Sequence, residues 1–117
     1  MTDTDEALAA QWVVADELAA LAAVGGPDQI AAHLQELGIT GWPVSAARCP
    51  VARYVQHQTG ERITVVPSGR LTPGVYRLCG ESVRRPLPAA VSEFANRFDD
   101  REYPALIAIG PAVEVPT

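Results

Sequence analysis

Apolar residues in the first quarter of the chain recur at helical spacing on more than one side. Leu8, Trp12, Ala15, Ala19 and Ala22 share one face, while Val14, Leu18 and Leu21 share the adjoining one. This predicts a helix capped by Asp3 or Thr4 and running to about Val24. Little of its surface is polar and much of it is alanine, so it reads as a well-buried helix or as one that packs closely against a second chain. Gly25-Gly26 stops it, and Pro27 suits the first position of a second helix, where its missing N–H is not needed. Ile30, Leu34 and Leu37 form the buried stripe of that helix, and Gly38 fits a left-handed cap that returns Ile39 onto Leu34.

After Gly41-Trp42-Pro43 a polar loop leads to Cys49-Pro50, which opens a short third helix with Val51, Tyr54 and Val55 on one side. It ends near Thr59-Gly60, and from Arg62 the period changes. Ile63 to Val66 and Val75 to Cys79 are β-rich runs separated by Pro, Ser and Gly, which predicts a hairpin with a long connection. A short third strand is expected over Ser82 to Arg85. Pro86 and Pro88 then introduce a last helix carrying Val91, Phe94, Ala95 and Phe98, finished before Pro104. The tail over 110–117 reads as loose.

The expected fold class is therefore α+β: a small helical domain with a β-hairpin or three-stranded antiparallel sheet, residues 1–109 forming a single domain. Up to its last element this is also the order of a winged-helix domain, with Val51 to Gln58 as recognition helix and the hairpin as wing. The connection from Gly38 to Cys49 is longer than the turn of about three or four residues usual in that motif.

At 117 residues the chain is long enough for one core and too short for two. A hydrophobic fraction of 48% argues against disorder, and the longest apolar runs fall well short of a bilayer span. The acidic start, Asp3 to Glu6, lacks the positive n-region of a secretory signal. These features predict a soluble, cytoplasmic protein with no membrane partner. Two cysteines without a Cys-x-x-Cys pair read as free thiols.

Charge divides the chain more sharply than its net value of −5 suggests. Residues 1–44 carry seven acids and no arginine, whereas residues 45–85 carry seven arginines against Glu61 and Glu81. Two readings fit: the acidic flanks fold beside the basic centre and neutralise it, or the centre presents an anion-facing patch. In the second reading Arg53, Gln56 and His57 on the third helix, with Arg62 and Arg70 from the wing, would contact phosphates and base edges. An isoelectric point near 4.9 disfavours nucleic acid as partner. The apolar first helix favours instead a protein partner, or a homodimer formed through it.

Cys49 is the leading candidate for chemistry. A thiol at a helix N-cap faces unpaired N–H groups and the positive end of the helix dipole, and Arg48 and Arg53 would push further toward thiolate. His57 lies eight residues on, about 12 Å along a helix, so it cannot be the base. His33, from the second helix, is the other imidazole available. The competing reading makes Cys49 a small buried residue that caps its helix, and His33 a boundary residue beside the Ile30 stripe. Cys79, grouped with Val75 and Arg77 on one strand face, is expected in the core. Asp99 and Asp100, at the unfavourable end of the last helix, are expected to be solvated, loop-facing charges rather than a catalytic pair. No Gly-rich phosphate loop, Ser-centred elbow or zinc motif is present, so neither cofactor nor metal is expected.

Gly38-Ile39-Thr40-Gly41, then Cys49-Pro50-Val51-Ala52-Arg53-Tyr54-Val55, then Val91, Phe94, Phe98-Asp99 and Tyr103-Pro104-Ala105-Leu106 together make residues 28–106 resemble a group of small proteins from high-GC actinobacteria. That resemblance implies a bacterial cytoplasmic origin and marks the Cys49 to Tyr54 segment as a unit. It implies no substrate and no catalytic residue.

Overall fold

The helical and two-residue periods resolve into the elements the pattern predicts. In the computed structural model, which describes residues 2–108, α1 spans Thr2–Ala23, α2 Pro27–Glu36, α3 Pro50–Thr59 and α4 Ala89–Asp99. Strands β1 (Ile63–Val66), β2 (Val75–Leu78) and β3 (Arg85–Pro86) form an antiparallel sheet in the order β1-β2-β3. A short 3-10 turn, Pro104–Leu106, follows α4. The fold is α+β. The side chain of Leu8 and the 110–117 tail lie outside the described residues.

Local chemistry accounts for the helix ends. Gly38 takes φ 74°, and the Ile39 N–H returns to the Leu34 carbonyl at 3.0 Å, the Schellman closure expected of Gly-Ile at this place. Gly60, at φ 81°, ends α3 in the same left-handed way. Leu37 departs from its predicted place in the stripe. It is 41% exposed, because α2 stops at Glu36 and the cap turns the chain, so Ile30, Ala31 and Leu34 carry the buried face.

One core serves all these elements. Phe94 and Phe98 of α4, Ile30 and Leu34 of α2, Leu18 of α1 and Val55 of α3 are fully enclosed, and α4 packs on α1, α2 and α3. Each such side chain contributes about 1.5–3 kcal/mol by leaving water. The sheet buries Ile63, Val65, Tyr76 and Leu78 against the helices, with Ile63 opposite Leu78 and Val65 opposite Tyr76. Thr64, Val66, Val75 and Arg77 form its outer face. The free edge of β1 is covered by a loop, since the Val65 N–H donates to the Ala46 carbonyl at 2.9 Å.

Three expectations change here. The third strand is Arg85–Pro86 rather than Ser82–Arg85: a turn at Gly80, φ 91°, leaves 82–84 unpaired, and Pro86 is tolerated because β3 is an edge. Cys79 is exposed, because the face it shares with Arg77 is the outer one. On α1 the core side is Val14, Leu18 and Leu21. Trp12, which sequence spacing placed on a face with Ala15 and Ala19, is 65% exposed, and Ala19 is open to solvent with it.

Candidate functional site

The start of α3 is built as the Cys-Pro pair predicts. Cys49 has an extended backbone, φ −70° and ψ 162°, its sulfur accepts the Ala52 N–H at 3.5 Å, and Pro50 occupies the first turn. The expected thiolate does not follow, because Cys49 is only 4% exposed. Burial outweighs the backbone N–H groups of Ala52 and Val51, the Asp99 charge adds to it, and the thiol is pushed up to about 11. Helix-terminal stabilisation is present here and is overcome by desolvation.

Cys49 lies in the wall of a cleft of about 220 Å³, between the Val44 to Ala46 loop, the end of β1 and the Ala95 and Asp99 side of α4. Val44 sits at φ 53°, a costly conformation for a β-branched residue. Its N–H donates to Asp99 Oδ1 at 2.8 Å, so Asp99 faces a loop, as expected, and anchors it. Neither His33 nor Arg53 reaches the cleft. His33 stands edge-on to the Tyr54 ring at 6.2 Å, and Tyr54 donates to Glu17 Oε2 at 2.6 Å. Arg53 and His57 line a separate hollow of about 200 Å³ with Leu37 to Thr40. The proposed nucleophile, base and arginine are thus held apart.

Two of the basic residues meet at Trp42. The guanidinium groups of Arg48 and Arg53 lie over its ring at 5.8 and 5.5 Å, distances suited to cation–π attraction. Gln56, His57, Arg62 and Arg70 are exposed, Arg62 just before β1 and Arg70 in the hairpin loop. Among the described residues the ion pairs belong to Arg97, with Glu93 at 2.9 Å and Asp28 at 3.9 Å, and none involves an arginine of the central stretch. Direct pairing between the acidic flanks and the basic centre is therefore not seen among the described side chains.

A third hollow was not legible in the sequence. Gln11, Trp12 and Ala15 of α1 face Tyr76, Arg85 and Pro86 across a cleft of about 460 Å³. Arg85 donates from Nη2 to Gln11 Oε1 at 2.6 Å, and Gln11 Nε2 donates on to Glu81 Oε1 at 2.9 Å. The Arg85 Nε is shielded from solvent and has no partner. Burial pushes the Tyr76 phenol up, partly offset by the Arg85 charge.

No protein-family model, curated protein or solved structure matches this chain. The resemblance of residues 28–106 to small actinobacterial proteins rests on its motifs alone. Among the described residues no group of three or more His, Cys, Asp or Glu side chains is placed to hold a metal ion, and no helix is long and apolar enough to cross a membrane.

Proposed function

We propose that the chain is a non-catalytic interaction module that self-associates through the open face of α1. One observation carries this reading: Ala9, Trp12, Val13, Ala20, Ala23 and Val24 all face solvent, with Asp16 the one charge among them. A helix that has already buried Val14, Leu18 and Leu21 has no need of a second apolar face for its own fold, and such patches mark contact surfaces. The alanines permit close approach. An antiparallel pair with its two-fold axis level with Leu18 sets Trp12 against Val24, Val13 against Ala23 and Asp16 against Ala20, which keeps the two Asp16 carboxylates about 6 Å apart along the axis. The separation of Cys49, His33 and Arg53 supports a non-catalytic role.

Light scattering over a wide concentration range tests this directly. The parent chain is expected to approach twice 12.4 kDa, and Ala20→Arg, on the exposed face and away from the core, to remain at the single-chain mass with the thermal midpoint that the parent shows when diluted to a single chain. A parent that stays at the single-chain mass at high concentration, and that retains no partner from its source organism, would remove the proposal.

The arginines over Trp42 favour a second reading, a nucleic-acid contact through Arg53, Gln56 and His57 of α3. Phosphate contacts strengthen as salt falls, so this reading predicts a gel shift of genomic fragments at low salt that fades at moderate salt. Absence of a shift at low salt excludes it.

A further inference from the structure

We propose that the cleft between α1 and the β3 edge binds a small monocarboxylate with a flat apolar body. Its volume of about 460 Å³ lies within the range of small-ligand sites. Its walls divide into two kinds. Trp12, Ala15 and Pro86 supply apolar surface, with the indole largely open to solvent, while Arg85 supplies a positive charge at one end.

Arg85 is under-satisfied in a specific way. Its Nη2 is bonded to a neutral amide oxygen, its shielded Nε has no partner, and among the described residues no carboxylate lies within ion-pair distance. Guanidinium groups are matched by carboxylates through two parallel N–H···O bonds, and charge-assisted bonds are roughly twice as strong as bonds to a neutral acceptor. The Gln11 amide oxygen therefore occupies a place that a ligand carboxylate takes with gain. Gln11 need not leave the site when displaced, because its amide nitrogen is held by Glu81. That same Glu81 sets the charge of the ligand. Its carboxylate already stands two hydrogen bonds from the guanidinium, through the Gln11 amide, and among the described residues no second cation lines the cleft, so a single negative charge is favoured over a phosphate dianion. The flat body then lies along Trp12, where an aromatic ring gains stacking as well as burial.

Trp12 borders both this cleft and the face proposed for self-association, so the acid is titrated against the single-chain Ala20→Arg variant as well as the parent. Para-fluorophenylacetate and its neutral primary amide are the probes, titrated against the full chain and followed by fluorine NMR. Saturable binding of the acid is expected with Kd of about 1 mM or tighter, and binding of the amide about tenfold weaker or more. Arg85→Met should bring acid and amide to the same weak level, and Glu81→Gln should tighten the acid. Trp12→Ala, at an exposed position that the fold does not need, should weaken both probes and keeps the test valid if Arg85→Met fails to fold. Ala20→Arg, which removes self-association and leaves every wall of the cleft in place, should still bind the acid in preference to the amide. Equal affinity for acid and amide, undiminished binding by folded Arg85→Met, undiminished binding by Trp12→Ala, or no saturable binding of the acid would each overturn the assignment.

Discussion

Iodoacetamide added to the native protein near neutral pH is expected to modify Cys79 and leave Cys49 untouched, the reverse of what helix-terminal position alone implies. Cys79 lies on the solvent side of the sheet just past β2, whereas Cys49 is enclosed and its thiol is held protonated up to about 11. Alkylation needs both a thiolate and access, and the buried residue lacks each. Peptide mass spectrometry reads the two sites separately, and Cys49 should react only once denaturant opens the core. Labelling of Cys49 in the folded chain at a rate comparable with Cys79 would show that its thiol is neither enclosed nor held protonated. The same burial has a consequence for alkaline stability. The folded thiol ionises near 11 and an unfolded one near 9.0, so its contribution is complete below pH 9 and is lost as pH rises through 11. The full loss is about 3 kcal/mol. Tyr54, raised by burial and by its bond to Glu17, acts in the same direction at still higher pH. Cys49→Ser keeps an acceptor for the Ala52 N–H but does not titrate, so its urea midpoint should fall less steeply over this interval.

Gly41→Ala is expected to destabilise the protein by about 2–4 kcal/mol, more than any other single methyl addition at its glycines outside the hairpin. A Cβ at Gly41 would stand 2.5 Å from the Arg48 carbonyl oxygen, 2.6 Å from Pro50 N and 2.7 Å from the Cys49 carbonyl carbon. All three are backbone atoms, so no side chain can swing aside. Gly41 is also fixed from behind, since its N–H donates to Leu106 O at 2.9 Å and its carbonyl accepts from Ala108 N at 2.7 Å. The added methyl must therefore push the Arg48 to Pro50 segment outward and loosen the start of α3. Gly38→Ala is the control: its φ of 74° is unfavourable for alanine, but nothing lies within 4 Å of the new atom, so a cost of about 1 kcal/mol is expected. Urea midpoints at constant m-value compare the two. If Gly41→Ala is no worse than Gly38→Ala, the close approach is not a constraint.

The elements were legible wherever a residue type has a single structural use. Gly38-Ile39, Cys49-Pro50, Thr59-Gly60 and the alternating runs at 63–66 and 75–78 mark ends and periods that local sterics impose, and each is found in place. Facing was harder to read. Both sides of α1 are apolar, so spacing alone could not choose Val14, Leu18 and Leu21 over Trp12 and Ala19 as the core side. Parity grouped Cys79 correctly with Val75 and Arg77, but Val75 suggested an inward face, and the better signal was Arg77, which water holds outside. The anchoring of Val44 by Asp99 and the meeting of Gln11 with Arg85 join positions far apart along the chain. No local pattern announces such pairs.

Helix α4 holds more than its share of the core. Ser92 accepts the Ser68 N–H at 2.8 Å, Asn96 donates to the Ser68 carbonyl at 2.9 Å, and Asp99 secures Val44 from 55 positions away. The loop before α3 and the hairpin connection are thus both tied down by a segment that leaves the ribosome after them. Until Phe94 and Phe98 arrive, a nascent chain leaves uncovered those sides of α1, α2 and α3 that α4 buries, and helices made early must wait for one made late. A pause in translation just before residue 89 is therefore the point at which the unfinished chain exposes most apolar surface.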